Sequence, residues 1–320
     1  MAVHETVRLT RRQALATSLA SGLAAMGAKP ALAASKAAAK APLKIGCGTV
    51  SFRTYPLEEA LRRIRRAGYE YFETQATAPF CPHVDPWKND PATFRKLAAD
   101  LGFRGVTALW SCHGAIIPDA KSVEGISQVI RWAKEAAVPV VVAGDGRKPA
   151  NMSDDDAMKL LGDRLAAILE LAEKLQIHLA IEPHGTFSLT AEGLKRIMAL
   201  SNSKWLAINY DTANVHRATY VETAEGGYAW TPFGQRQDEV ATLRAVVDRV
   251  VHVHVKDVVG ARCVALGEGT VNLHGCLRVL REAGYGGVVS LETEGDFDAE
   301  EGQRLIAASY RYLVEASERV

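Results

Sequence analysis

From Lys44 onward the sequence alternates short apolar, β-prone runs with amphipathic helical patterns, eight of each in strict order. This alternation restricts the fold more than any other feature. Strands are predicted at 44–51, 69–74, 103–112, 138–144, 177–184, 205–211, 250–258 and 287–294. Helices are predicted at 57–67, 91–101, 122–137, 154–176, 191–200, 238–248, 273–283 and 299–318. The punctuation agrees with the periodicity. Gly68 and Gly102 stop two helices, and Ser153 caps the fourth, with Asp154, Asp155 and Asp156 in its first turn where the helix dipole favours negative charge. Apolar strands separated by helices pair in parallel, because the crossover helices cover the sheet. Eight such units in roughly 275 residues match the count and size of an α/β fold, a single-domain (β/α)8 TIM barrel. A doubly wound sheet would suit about six strands, and no GxGxxG follows the first strand.

Residues 1–33 stand apart from this pattern. Arg8, Arg11 and Arg12 precede a mildly apolar Ala/Leu run from Ala14 to Ala28, and Ala31-Leu32-Ala33 ends it with a small-x-small cleavage pattern. The string Leu-Thr-Arg-Arg-Gln-Ala-Leu resembles a twin-arginine signal, which hands folded proteins to the twin-arginine export machinery. An exported, periplasmic protein is therefore expected. No stable membrane anchoring is expected after cleavage, because the apolar run is short for a spanning helix and is interrupted by Ser, Thr and Gly. An Ala/Lys-rich linker at 34–43 leads into a catalytic barrel at 44–320.

Charge and cysteine content narrow the partners. The chain holds 38 Lys+Arg against 37 Asp+Glu, a formal charge of +1. Four of those cations but only Glu5 among the acids lie in residues 1–33, so the rest of the chain has 34 basic and 36 acidic residues. A mildly acidic barrel has no electrostatic reason to bind a nucleic-acid backbone. Cys47, Cys81, Cys112, Cys263 and Cys276 form no CxxC pair and no zinc-ribbon spacing, so buried free thiols are expected.

Chemistry emerges when strand parity is applied to the last four strands. Side chains alternate across a strand, so one parity faces the barrel interior. Val251, Val253 and Val255 take one face of the seventh strand, which puts His252, His254 and Lys256 on the other. The same alternation aims Glu182 and His184 inward from the fifth strand, Asn209 and Asp211 from the sixth, and Glu292 and Glu294 from the eighth. Glu182, Asp211, His254 and Glu292 thus meet at the C-terminal mouth, where barrel enzymes keep their active sites. Three carboxylates in one pocket repel unless a cation sits among them. Three oxygens and one imidazole suit one divalent ion, Mn²⁺ first, with Mg²⁺, Co²⁺ or Zn²⁺ as alternatives. A polar mouth tied by pairwise salt bridges is the competing arrangement.

Five strings carry a resemblance: Ile-Glu-Pro-His (181–184), Asn-Tyr-Asp-Thr-Ala-Asn (209–214), His-Val-His-Val-Lys-Asp (252–257), Leu-Gly-Glu-Gly (266–269) and Leu-Glu-Thr-Glu (291–294). In this order they resemble the xylose-isomerase-like superfamily of barrels, and within it the sugar phosphate isomerase/epimerase branch. The resemblance implies that Glu182, Asp211, His254 and Glu292 are the metal ligands, and that Glu182 and Glu292 exchange protons on opposite faces of a keto-sugar through a metal-stabilised ene-diolate. His184, His252, Lys256 and Glu73 share the inward parity and are candidate substrate contacts or supports for the ligands. Glu268 lies in a Gly-x-Gly loop that the resemblance puts near substrate.

The resemblance also marks departures. Ketose 3-epimerases often carry a substrate-contacting His three residues after the Asp ligand; here Asn214 stands there, with His216 two further on, and both remain candidates. The stretch from Asn214 to Gln237, with Tyr220, Tyr228, Trp230 and Phe233, is read as a lid or substrate platform, or else as a homo-oligomer contact. Endonuclease relatives use extra histidines that this chain lacks. A lyase or dehydratase of keto-sugars, keto-glycosides or inososes would use the same metal and the same proton abstraction. A non-catalytic sugar-binding barrel is the reading from outside enzymology.

Overall fold

The computed structural model describes residues 43–222, 229–232, 234–295 and 297–320; the expected signal and most of the linker lie outside the described residues. The strands are β1 (Lys44–Gly48), β2 (Tyr71–Gln75), β3 (Gly105–Ala115), β4 (Val140–Gly146), β5 (His178–Gly185), β6 (Leu206–Asp211), β7 (Thr219–Glu222), β8 (Ala229–Pro232), β9 (Val250–Val255), β10 (Asp257–Val259), β11 (Arg262–Val264) and β12 (Val288–Leu291). The helices are α1 (Leu57–Ala67), α2 (Pro91–Asp100), α3 (Ser122–Glu135), α4 (Asp154–Leu175), α5 (Ala191–Met198), α6 (Thr212–Arg217), α7 (Glu239–Val246), α8 (Leu273–Glu282) and α9 (Ala299–Arg319). Eight strands close a parallel barrel in the order β1-β12-β9-β6-β5-β4-β3-β2, while β7–β8 and β10–β11 form separate antiparallel hairpins. This is the (β/α)8 barrel that the alternation predicts.

Most apolar burial lies between the barrel and its helices. On α4, Ala157, Leu161, Leu165, Ile168 and Ala172 recur at spacings of three and four, which puts them on one face; all five are buried. Against such stripes pack the outward residues of the strands, including Leu179, Ile181 and Val253. The barrel interior is divided differently. Ala108, Val140, Val142 and Ala180 form a small apolar cluster on the β3–β5 side. Across β2, β6, β9 and β12 the interior is polar, with Glu73, Asn209, His252 and His254 all buried. Ala108 and Ala180 lie two residues before Trp110 and Glu182 on their strands, so the apolar cluster underlies residues that line the mouth.

Two local departures from the predicted elements affect the mouth. The predicted first strand stops at Gly48, and residues 49–52 continue as a 3-10 turn that buries Phe52. After β6 the chain enters α6 at once, because Asp211 caps it by accepting from the N–H groups of Ala213 and Asn214. The stretch read as a lid therefore begins with a helix and continues into the β7–β8 hairpin; residues 223–228 and 233 lie outside the described residues.

Asp145, at the end of β4, is a buried carboxyl that accepts from Phe187 N–H at 2.6 Å and from the Ser188 hydroxyl, tying down the β5–α5 loop. Burial pushes it up to about 6, against the lowering effect of those donors. The five cysteines are free, four of them buried and Cys112 half-buried. Burial lifts the thiols, to about 12 at Cys81 and about 11 at Cys112. Among the described residues, no helix is long and apolar enough to cross a membrane.

Candidate active site

The barrel register brings the polar strands into line. Asp211 on β6 pairs with His254 on β9, and His254 pairs with Ser290 on β12, so Glu292 lies one inward position further along. Glu182 comes from β5, whose Ile181 pairs with Ile208 of β6. One ligating atom from each of Glu182, Asp211, His254 and Glu292 lies within 4.8 Å of the others, and all four residues are buried. The sequence parity expects this convergence from these strands.

Neighbouring residues orient each side chain. His254 Nδ1 faces Glu182 at 3.3 Å, Glu292 at 3.2 Å and Asp211 at 3.9 Å. Its Nε2 meets a Glu73 oxygen at 2.9 Å, so the ring is gripped from behind by a carboxylate, a common way to fix a ligating imidazole. His252 supports the same layer: Nδ1 lies 2.9 Å from Asn209 Oδ1 and Nε2 lies 3.1 Å from Thr107 Oγ1. The Glu182 carboxylate accepts from Trp110 Nε1 at 2.8 Å, Asn209 Nδ2 at 2.9 Å and Asn214 Nδ2 at 3.2 Å. Asp211 spends Oδ1 on the cap of α6, which leaves Oδ2 for the cluster. Lys256 Nζ sits 3.1 Å from Asp211, 2.7 Å from Glu292 and 2.7 Å from Glu294.

Electrostatics test whether a cation belongs here. Five buried carboxyls, Glu73, Glu182, Asp211, Glu292 and Glu294, surround the ammonium of Lys256 and the imidazole of His254. Burial pushes Glu182 up to about 7 and Glu294 up to about 8, and raises Glu73 and Asp211 as well. Burial would also raise Glu292, but His254 and Lys256 overcome it and hold that carboxyl well below the usual range. Burial disfavours the charged form of His254, yet the carboxylates around it raise it well above an ordinary histidine. Protein cations alone leave this cluster short of positive charge. Asp211 Oδ2 and Glu292 Oε2 are buried with no donor in hydrogen-bonding geometry, although both lie within ion-pair reach of Lys256. Two underused oxygens within a group of three carboxylates and one imidazole fit a hard or borderline divalent ion.

A cavity of about 290 Å³ opens onto this cluster, with Glu182, Glu292, Lys256, Asn214 and His184 in its wall. His184 meets Trp110 edge-on, with ring centroids 5.2 Å apart. Glu73 and His252 lie below the cavity, behind His254 rather than in the wall. His216 is not brought to the cavity. It lies two residues beyond Asn214 on α6, about 200° round the helix, and is buried against Glu239 at 2.9 Å and Thr270 at 3.1 Å. Glu268 is also placed elsewhere: it is exposed and borders a surface groove with Arg262 and Glu301. Its loop turns away because Asp257 on β10 accepts from both Gly267 N–H and Gly269 N–H at 2.9 Å. Trp230 lies on β8, and its side chain is outside the described residues.

Sequence reasoning missed Trp110 and Gln75. Trp110 donates to Glu182, and Gln75 Nε2 approaches Glu292 Oε1 at 3.4 Å. Gln75 shares the parity of Glu73 but lies one residue beyond the predicted second strand, and a register irregularity between β2 and β3 breaks the alternation before Trp110.

The profile of the xylose isomerase-like TIM barrel family matches residues 61–313. An uncharacterized protein of Methanocaldococcus jannaschii is 28% identical over 207 residues, 62% of this chain and 64% of that protein, so the match spans under two thirds of the relative's length. Solved structures share the fold, three of them as follows. A D-tagatose 3-epimerase-like protein superposes with a TM-score of 0.69 at 20% identity, over 87% of this chain and 98% of its own. The 3-keto-D-glucoside 4-epimerase YcjR of E. coli gives 0.66 at 18%, over 85% and 99%. The IolI protein with a binding zinc atom gives 0.68 at 16%, over 87% and 99%.

Proposed function

The chain belongs to the xylose isomerase-like TIM barrel family, and on that premise we propose that it is a divalent-metal-dependent isomerase or epimerase of a keto-sugar, acting by α-proton abstraction. The observation that carries the reading is the convergence of Glu182, Asp211, His254 and Glu292 in one buried cluster, two of whose members, Glu182 and Glu292, line a cavity. Epimerases among the solved structures of the same fold, and one that binds zinc, support it.

Glu182, Asp211, His254 and Glu292 would hold the ion. When bound, it supplies Lewis-acid polarisation of a substrate carbonyl, which acidifies the adjacent C–H. The protein's own groups do the rest. Glu182 and Glu292 are the proton acceptor and donor, one on β5 and one just beyond β12, so they approach a sugar from different strands. Three N–H donors restrict the Glu182 carboxylate to one orientation, which keeps it aimed at the carbon rather than free to rotate. Lys256 brings positive charge beside Glu292 and Glu294, where oxygen charge would develop. Trp110 and Phe80 give the wall an apolar surface for the C–H face of a sugar. The twin-arginine-like string at residues 9–15 supports a place outside the cytoplasm, where unphosphorylated sugars are the expected substrates.

The test is solvent exchange. Metal-loaded protein incubated in D₂O with a panel of keto-sugars should place deuterium on the carbon next to the carbonyl, read by proton NMR. Glu182→Gln and Glu292→Gln should each slow this by at least a hundredfold. Binding of keto-sugars with no exchange at any carbon would refute the isomerase reading in favour of a sugar-binding barrel. Loss of water or of an aglycone would establish the lyase chemistry instead.

A further inference from the structure

The cavity extends past the carboxylate cluster to a second pair of polar groups that the chemistry above does not use. His113 and Asp119 both line it, and His113 Nδ1 lies 2.7 Å from Asp119 Oδ2. The other oxygen of Asp119 accepts from Lys121 N–H at 2.8 Å, which fixes the carboxylate. With Nδ1 donating to that carboxylate, Nε2 is the free face of the ring, and among the described residues it has no hydrogen-bond partner.

The backbone holds this ring in place at a cost. Four non-glycine residues among those described have positive φ: His113, Ala137, Gln176 and Ala218. The last three end helices, where left-handed residues are routine. His113, at φ 55°, lies inside strand β3, and such strain gathers at functional sites. Helix α3 is shaped to receive the ring. A Cβ on Gly125 would come within 2.7 Å of His113 Cδ2 and 2.8 Å of its Cβ, so only glycine leaves room.

We propose that the His113–Asp119 pair is a substrate-recognition element that hydrogen-bonds a hydroxyl or glycosidic oxygen remote from the reacting carbonyl. It therefore selects longer keto-sugars or keto-glycosides over short ketoses. The inference rests on the keto-sugar reading of the cavity. Trp110, three residues before His113, donates to Glu182, whereas His113 bonds to Asp119, so the pair borders the same cavity at a point separate from the carboxylate cluster. A ligand whose carbonyl sits between Glu182 and Glu292 would meet Nε2 with an oxygen further along its chain, and a four-carbon ketose offers fewer such oxygens than a hexulose or a keto-glycoside. A hydroxyl can both donate and accept, so it pairs with Nε2 in either protonation state.

The experiment measures binding and exchange together. Mn²⁺-loaded wild type, His113→Gln, Asp119→Asn and Gly125→Ala are titrated by calorimetry with a tetrulose, several hexuloses and a methyl 3-keto-glucoside, and the same mixtures are followed in D₂O. The wild type should bind the longer sugars more tightly than the tetrulose. In His113→Gln that preference should fall roughly tenfold, the value of one hydrogen bond to a polar ligand. Gly125→Ala, which displaces the ring from the other side, should lower it in the same direction, as should Asp119→Asn. An unchanged preference in folded variants, or an equal loss for short and long sugars, overturns the proposal. A wild type that binds sugars without exchanging any C–H refutes the isomerase reading alone, and the preference still decides the role of the pair. A wild type that binds none of the sugars overturns both.

Discussion

Glu182 shows how much of this site depends on residues that are not themselves charged. Its carboxylate is held by an indole and two side-chain amides, and Trp110 also forms part of the cavity wall. Trp110→Phe keeps the ring and removes the N–H, so the exchange rate should drop about tenfold while the fold persists; steady-state exchange kinetics check this, and an unchanged rate would remove Trp110 from the site. Asp145 offers a separate test by pH. Its carboxyl, ordinarily near 3.8, is raised to about 6 by burial, so the folded state binds its proton more tightly than the unfolded state does. Its contribution to stability is therefore largest below pH 4 and is lost as pH rises through 6, by an amount on the order of 3 kcal/mol. Asp145→Asn should gain on the wild type by up to that amount between pH 4 and pH 7, as read by urea unfolding at both values. The charged residues of the site were legible in sequence because period-two alternation on four consecutive strands aims them together. His216 and Glu268 were misleading for a matching reason. Both follow strand ends, where a helix turn or a tethered loop decides direction and no strand parity applies.

At the scale of elements, two connections do the positioning. Helix α6 begins on Asp211, so one carboxylate both caps a helix and faces the cluster. Asp257 performs a comparable task after β9: it gathers N–H groups from Val258, Gly267, Gly269 and Val271, folding the Leu-Gly-Glu-Gly string into a turn. Asp257→Ala would leave several of these donors without their acceptor and should lower stability by roughly 2–3 kcal/mol; denaturant unfolding measures it, and a loss under 1 kcal/mol would mean that water replaces the carboxylate at little cost. One helix start was readable in advance because capping is local: Ser153 accepts from Asp156 N–H three residues on, as its place before three acidic residues suggests, whereas Asp238, read as the first helical residue, is the cap of α7. The small elements were not. Helix α6 and the hairpin β10–β11 are too short to show a period, and they form because the barrel holds their ends.

For the molecule as a whole, the barrel resolves a conflict set up by its own sequence. Eight apolar strands close a packed fold, yet five of them, β2, β5, β6, β9 and the end of β12, deliver ionisable side chains into its interior. The apolar cluster under β3–β5 supports one half, and a network of acids around His254 and Lys256 fills the other. Such a network is unfavourable while its negative charge exceeds its positive charge, and one dication would redress the balance. Divalent metal should therefore stabilise the fold, by about 2.7 kcal/mol at a free concentration one hundred times Kd; melting with and without chelator reports it as a higher Tm. The most direct measurement is calorimetric titration of metal-free protein with Mn²⁺. The account expects one equivalent per chain, with protons released as the raised carboxyls ionise, and no binding in the His254→Asn, Asp211→Asn double variant. A wild type that takes up no divalent ion, or a double variant that binds as tightly as the wild type, would contradict it.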